Sequence, residues 1–398
     1  MYRIHFKEGI TLKKKVTVLG CGLVGSVMAL DLAADEAYDV TICDASRENL
    51  EKTRAKAKGP VTLRTDVDFA SPESIGASVK GQDLVIGAVP GFLGYAMLGA
   101  VIRAGVNMSD ISFMGEDYRE WDAEAKKYGV TTFEDVGVAP GASSVLIGHA
   151  CTQLDQVEDV TYSVTGLPTN PVPPYNYKLV FSPDDLIEEY VRPARTKRNG
   201  QIVTVPALSG CKIMKFDIPG LNLPEMEGFF TDGSRTLLDT IPSPNVTEYT
   251  LRYPGTACDM TLLREIGLFG TDPVDVKGVK VAPRDLFGAM AYPAMKLGDD
   301  ENEFTFFHAE VTGVKDGRRL QYAYTLYDEK DMATGFPSMS RTTGFTCVIV
   351  GRMLAEGMLD MPGVNPPEAV GKSPAAVDRM LAEFKKRNVK IVTSIREL

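Results

Sequence analysis

The sequence predicts an α/β protein of two units: a doubly wound parallel sheet, then an α+β unit around a mixed sheet. Three observations lead there. From Lys15 to about residue 145, short apolar runs alternate with helical segments, the pattern of parallel β-α-β units. After Val157 strand-like runs dominate and helices are few. Residues 338–358 then form a long helical stretch, rich in small residues and apolar on most sides, as a helix buried between units is. The first unit is expected over 1–145, with 338–358 returning to it. The second is expected over 146–337 and 359–398.

The opening stretch carries the most information. Val16, Val18 and Leu19 make an apolar run that ends in glycine, which suits a buried parallel strand. Gly20, Gly22 and Gly25 follow at G-x-G-x-x-G spacing. The first permits a tight turn, the second lets backbone approach a pyrophosphate, and the third lets the next helix sit close on the strand. Val24, Val27, Met28 and Leu32 give that helix its apolar face, and its free N–H groups would face phosphates. Val40, Ile42 and Cys43 make a second strand, which Asp44 closes. An acid about 20 residues past the last glycine accepts hydrogen bonds from a ribose diol and repels a 2′-phosphate. A glycine triplet alone also marks an ordinary strand–helix turn. Here strand, glycines, helix, strand and acid all fall in place. This predicts a dinucleotide-binding (Rossmann) unit, with Leu23 and Val24 in its cofactor loop and NAD favoured over NADP. Ser46 and Arg47 follow Asp44 closely enough to hold a phosphate.

Residues 1–12 read either as an extra strand or as a tag-like leader. After Asp44 come a polar helix capped by Ser46, a strand over 61–67, and a helix opened by Ser71-Pro72-Glu73. Asp83 to Val89 is a continuous apolar strand that Pro90-Gly91 ends. Loops at the carboxyl ends of parallel strands hold the ligand, so Ala88, Val89 and Pro90 are expected to wall the cofactor. Helix 93–104, strand 106–110, helix 117–128, strand 130–135 and helix 142–151 complete the unit. The second unit shows strand-like runs at 159–167, 201–208, 212–218, 245–253, 302–313 and 321–328. Asp316-Gly317 between the last two reads as a hairpin turn. Helices are expected at 183–190, 260–267 and 283–297, with a final helix at 373–388 and a strand at 389–394.

Composition narrows the function classes. The chain has 398 residues, 44% hydrophobic and 24% charged, ordinary values for a globular protein. A net charge of −10 argues against nucleic acid and against an electrostatic membrane anchor. No apolar run is long enough to span a bilayer, and the N-terminus lacks the apolar core of a signal peptide, so a cytoplasmic protein is expected. Six cysteines without C-x-x-C spacing form neither a disulfide scaffold nor a metal site, and no metal is expected.

Several side chains are candidates for chemistry. The proline-pinned loop 167–178 offers Tyr175, Tyr177 and Lys178; a rigid structural loop reads the same way. Arg252 ends a strand, where guanidinium groups bind carboxylates or simply face solvent. Asp110 and Asp135 end strands on the same sheet edge as Gly20 and Pro90, where carboxylates orient an amine, act as a base, or cap a helix. His149 lies on an apolar helix and reads as core. His308 sits in an alternating strand and can face either way. Arg192, Arg195, Lys197 and Arg198 form a basic cluster, either a site for extra carboxylates or a solvated helix end.

Taken together, VLGCGLVG, DVGVAPGASSVLIG, the loop LPxxxxPPYNYKLVFSP, EGFFTDGSRTLLDT, TLRYPG, SMSRTTGF and NPPEAVG resemble the saccharopine dehydrogenase family over nearly the whole chain. The YNYKLVFSP and TLRYPG forms resemble its lysine 6-dehydrogenase branch most. Saccharopine and carboxynorspermidine dehydrogenases share the scaffold. The resemblance implies a substrate cleft between the units, a homodimer through the second one, and oxidative deamination of the 6-amine of L-lysine by NAD. The product would be 2-aminoadipate 6-semialdehyde, which closes to Δ1-piperideine-6-carboxylate, with release of ammonia. It also implies Arg252 and Lys178 on the substrate carboxylate, Tyr175 and Tyr177 lining the pocket, Asp110 and Asp135 near the amine, and His308 as a candidate base. A dinucleotide sensor or scaffold without turnover is the alternative from another class.

Overall fold

The computed structural model describes residues 13–398, so the reading of 1–12 lies outside the described residues. The chain lays down β1 (Lys14–Leu19), β2 (Tyr38–Cys43), β3 (Val61–Arg64), β4 (Leu84–Gly87), β5 (Met108–Asp110) and β6 (Thr131–Phe133). Then come β7 (Gln156–Pro168), β8 (Ala194–Arg198), β9 (Gln201–Val205), β10 (Lys212–Met214), β11 (Met226–Phe229) and β12 (Val246–Arg252). A small hairpin, β13 (Val274–Val276) and β14 (Val279–Val281), precedes the long pair β15 (Glu303–Lys315) and β16 (Arg318–Glu329). β17 (Gly363–Asn365) and β18 (Lys390–Glu397) finish the chain.

The first sheet is wholly parallel, in the order β17-β6-β5-β4-β1-β2-β3. Strand order reverses between β1 and β4, and that switch point opens the crevice where such sheets hold ligands. The expected division of the chain is corrected at its end. β17 falls in 359–398, which was given to the second unit, yet it pairs in parallel with β6 and edges the first sheet. Three residues are too few to show a period, and the partner lies far back in the sequence.

The second sheet is mixed, in the order β10-β11-β12-β7-β15-β16-β18, with β8 joined to β12 and β9 to β8. β12 runs parallel to β7, and the other pairs are antiparallel. The Asp316-Gly317 turn is present, both residues at positive φ (51° and 74°) as a tight hairpin needs. Of the basic cluster, Arg192 caps the end of the helix Pro183–Val191 as one reading had it, while Arg195, Lys197 and Arg198 lie on β8 of a hairpin. β8 and β9 turn through Asn199-Gly200 at φ 50° and 79°, a turn signal of the same kind.

The helix Ser338–Ala355 ties the two sheets together. Sixteen of its eighteen residues are buried. Gly344 lies against Met28 and Val24 of the helix Leu23–Ala33, and Gly351 against Ile86 and Leu84 of β4. Arg352 bonds Asp31 and Asp35 at the far end of Leu23–Ala33, and the Ser109 hydroxyl donates to the Cys347 carbonyl at 3.0 Å. One continuous apolar cluster therefore runs from Val16 and Ile86 of the first sheet, through Val348 and Ile349, to Phe306 and Phe307 of the second.

Candidate active site

The glycine loop explains itself atom by atom. Gly20 stands at φ +94°, and a Cβ there would lie 2.3 Å from the Ala88 carbonyl oxygen. A Cβ on Gly25 would lie 2.1 Å from the Gly20 oxygen, so the helix can seat on β1 only without one. Around Gly22 there is open space, where a diphosphate can approach the backbone. Asp44 caps the neighbouring strand. Its carboxylate accepts from the Cys21 and Ser46 backbone N–H groups, both at 2.6 Å, which aims it beside the loop. Arg47 is exposed next to it. These residues fit a nicotinamide dinucleotide: Gly22 and the helix end for the diphosphate, Asp44 for the ribose.

A cleft of about 540 Å³ begins at this loop and ends on the second sheet. Gly20, Gly22, Leu23, Val24, Gly25, Asp44, Ala88, Val89 and Pro90 line one side. Thr165 of β7, with Glu248, Thr250 and Arg252 of β12, lines the other. β12 reads VTEYTLR, and period two puts Glu248, Thr250 and Arg252 on one face.

Most carboxylates of this wall are matched by arginines. Asp135 bonds Arg235 at 2.9 Å, across from one unit to the other. Glu188 faces Arg284 at 3.0 Å and Arg192 at 3.6 Å, Glu189 bonds Arg252, and Asp232 faces Arg195 at 2.9 Å. Glu248 is held differently. It accepts from the Thr231 hydroxyl at 2.6 Å and the Thr250 hydroxyl at 3.2 Å. Burial pushes its carboxyl up to about 8, against the pull of those hydroxyls and with a further push from Glu189.

Four expected site residues stand elsewhere. Asp110 does not reach the cleft; it is buried under Gly87, where its Oδ1 accepts from the Ser112 N–H and hydroxyl at 3.0 and 2.8 Å. Its partner is Glu134. With both ionised, Asp110 Oδ2 and both Glu134 oxygens would lack partners. Burial raises both carboxyls, the charge of Asp110 raises Glu134 further, and a proton on Glu134 donated to Asp110 gives Oδ2 its partner and holds Asp110 down against its burial. Lys178 turns away from the cleft to Glu301 at 2.8 Å and the Lys296 carbonyl at 3.2 Å. Tyr175 packs half-buried against the core. His308 bonds the Thr325 hydroxyl at 2.9 Å and faces Glu310 and Phe216, off the cleft. Tyr177 is buried directly behind Arg252, whose guanidinium lies 4.8 Å over its ring. Of the basic cluster, Arg192 lines the cleft, Arg195 braces Asp232, and Arg198 is exposed.

The sequence reading missed Glu189, Thr231, Asp232, Arg235 and Glu248. For Glu248 a signal existed: it stands four residues before Arg252 in an alternating strand, so it shares that residue's face. The others come from loops and a helix brought in by tertiary contact. Among the described residues no group of His, Cys, Asp and Glu is arranged to hold a metal, and no helix is long and apolar enough to cross a membrane.

Comparison with known proteins places this arrangement. Residues 16–133 match the saccharopine dehydrogenase NADP binding domain, and residues 137–389 the saccharopine dehydrogenase C-terminal domain. The mitochondrial alpha-aminoadipic semialdehyde synthase of Bos taurus is 28% identical over 277 residues, covering 65% of this chain and 29% of that protein. The chain spans less than half the length of the semialdehyde synthases it matches. The saccharopine dehydrogenase [NADP(+), L-glutamate-forming] of Saccharomyces cerevisiae is 21% identical over 443 residues, 94% of this chain and 97% of that one. The solved apo structure of the L-Glu-forming enzyme from that yeast superimposes with a TM-score of 0.76 at 20% identity, covering 96% of this chain and all of that one. That likeness carries the fold. With both halves matched in order, the chain belongs to the saccharopine dehydrogenase family.

Proposed function

We propose that the chain is a nicotinamide-dinucleotide oxidoreductase acting on a carbon–nitrogen bond of a lysine-related amino acid, and that its substrate is the 6-amine of L-lysine. The observation that carries the reading is the single cleft joining the glycine loop and Asp44 to the Thr165, Glu248 and Arg252 wall. The dinucleotide supplies a hydride acceptor. In the balanced reaction the amine nitrogen gives up a proton, the adjacent carbon gives up a hydride, and a C=N bond forms. Water adds, ammonia leaves, and 2-aminoadipate 6-semialdehyde closes to Δ1-piperideine-6-carboxylate.

Arg252 is the cation offered to the substrate carboxylate, and Asp135 one of the acids near the amine. NAD is proposed because Asp44 closes β2 beside the glycine loop, where an acid accepts hydrogen bonds from a ribose diol and repels a 2′-phosphate. The family model and the yeast relative carry NADP in their names, and the exposed Arg47 is the group that would serve it. Saccharopine is the second reading. It is favoured by two guanidiniums on the wall, Arg192 and Arg252, and by the relatives' names. The loss of Lys178 from the cleft weighs for the substrate with fewer carboxylates. A homodimer is part of the proposal, supported by exposed apolar side chains such as Leu262, Ile266 and Met290; sedimentation tests it. Six free thiols, four of them buried, suit a reducing cytoplasm.

The test is initial-rate formation of reduced dinucleotide with L-lysine and with saccharopine, each with NAD and NADP, and with ammonia measured alongside. Lysine turnover with ammonia supports the reading. Turnover with saccharopine alone replaces it with the second one.

A further inference from the structure

Glu248 is a wall carboxylate that the reaction above leaves unused and that, among the described residues, no arginine pair accounts for. It sits in the middle of β12, 3% exposed, on the strand face that also presents Thr250 and Arg252 to the cleft. Two hydroxyls hold it, from Thr231 at 2.6 Å and Thr250 at 3.2 Å, and the two hydroxyl oxygens stand 2.8 Å apart. Asp135, Glu188, Glu189 and Asp232 each face an arginine. Glu248 is held instead by neutral donors, the Thr231 and Thr250 hydroxyls and the Gly233 backbone.

We propose that Glu248 receives the ammonium end of the substrate and takes its proton, with Thr231 and Thr250 positioning the carboxylate. This rests on the amine-oxidising reading and deepens it. A protonated amine has no lone pair with which to expel hydride. The N–H bond breaks towards a Glu248 oxygen, and the pair left on nitrogen forms the C=N bond as the C–H pair departs as hydride. The proton leaves Glu248 to solvent when the site reopens. Glu248 and Arg252 lie roughly 13 Å apart at Cα along the strand. That spacing suits a substrate with an ammonium at one end and a carboxylate at the other.

The surroundings set the sign of the pH dependence. Glu189 approaches from the helix Pro183–Val191, and Tyr162 pairs opposite Glu248 on β7. Asp232 lies in the adjoining loop and bonds Arg195 of β8, and Lys197 of β8 pairs with Val246. Burial and Glu189 favour the neutral acid, which holds its proton up to about pH 8. An arriving ammonium favours the carboxylate, so binding near neutral pH expels a proton.

The experiment uses the full chain with NAD, with L-lysine as the probe. Calorimetric titration in buffers of different ionisation enthalpy counts the protons released on binding at pH 7. The pH profile of kcat/KM is recorded beside it. The unmodified protein should release close to one proton and show an acidic limb in the profile. Glu248→Gln should release none, lose the limb, and fall about 100-fold or more in kcat, the usual share of a general base. Thr250→Val keeps the carboxylate but removes a bond that favours its charged form, so its limb should move to higher pH. A purely structural Glu248 would leave the limb where it was. Lysine turnover with an unchanged limb in Glu248→Gln overturns this proposal and leaves the substrate reading standing. Neither turnover nor proton release with L-lysine in the unmodified protein overturns both together.

Discussion

At the scale of single residues, the backbone geometry of the glycine loop was legible and the turn of the other cleft side chains was not, for a physical reason. A glycine is required by backbone geometry, and that requirement shows in the spacing of Gly20, Gly22 and Gly25. Asp44 follows from the same geometry. Replacing it with Ala should weaken NAD binding about tenfold, in keeping with a lost charged hydrogen bond, and should raise the NADP-to-NAD preference ratio in fluorescence titration. Substrate residues depend on where a side chain turns, which spacing does not record. Lys178 and Arg252 looked alike in sequence, yet one bonds Glu301 and the other lines the cleft. Lys178→Ala should therefore leave the KM for substrate unchanged and cost about 1 kcal/mol or less, as partly exposed pairs do. Arg252→Ala should raise that KM and also destabilise, at the low end of the ~3–5 kcal/mol for breaking a buried pair, because Glu189 is a quarter exposed. Rate and denaturation measurements on the two variants separate these outcomes.

At the scale of elements, long periodic segments were legible and several short ones were not. The helix Ser338–Ala355 announced its burial by its small and apolar residues, and it fills the space between the sheets. Ile349 is 1% exposed in that helix. Ile349→Ala should cost about 2–4 kcal/mol through the cavity it leaves, visible as a lowered urea midpoint with an unchanged slope. β11, β13, β14 and β17 run three or four residues each, below the length at which alternation can be counted. β8 was hidden by its charge. ARTKR reads as solvated, yet Ala194 and Thr196 point inward, and the Asn199-Gly200 turn was the available clue.

At the scale of the whole molecule, the mixed-sheet second unit and its return helix were legible from the change of texture along the chain, because periodicity survives without knowledge of partners. The pairing of acids with arginines across the cleft was not, since Asp135 and Arg235 are a hundred residues apart. Buried carboxyls also shape stability against pH. Burial raises Glu248 and Glu303 to about 8, so between their unfolded values and that pH the folded chain binds more protons than the unfolded one. Their stabilisation is present in mild acid and is lost as pH rises through about 8. Glu383, lowered to about 2 where Lys386 and Arg387 outweigh its burial, contributes the opposite slope as pH falls below the usual carboxylate range. Thermal midpoints should therefore peak in mildly acidic buffer and decline towards pH 8, as scanning calorimetry across that range would record. The central claim, that one cleft brings a dinucleotide to the 6-amine of L-lysine, is tested most directly by following reduced dinucleotide and ammonia together in a mixture of protein, NAD and L-lysine. Equimolar appearance of both is the predicted result. Dinucleotide that binds at the glycine loop but is never reduced by L-lysine would contradict it.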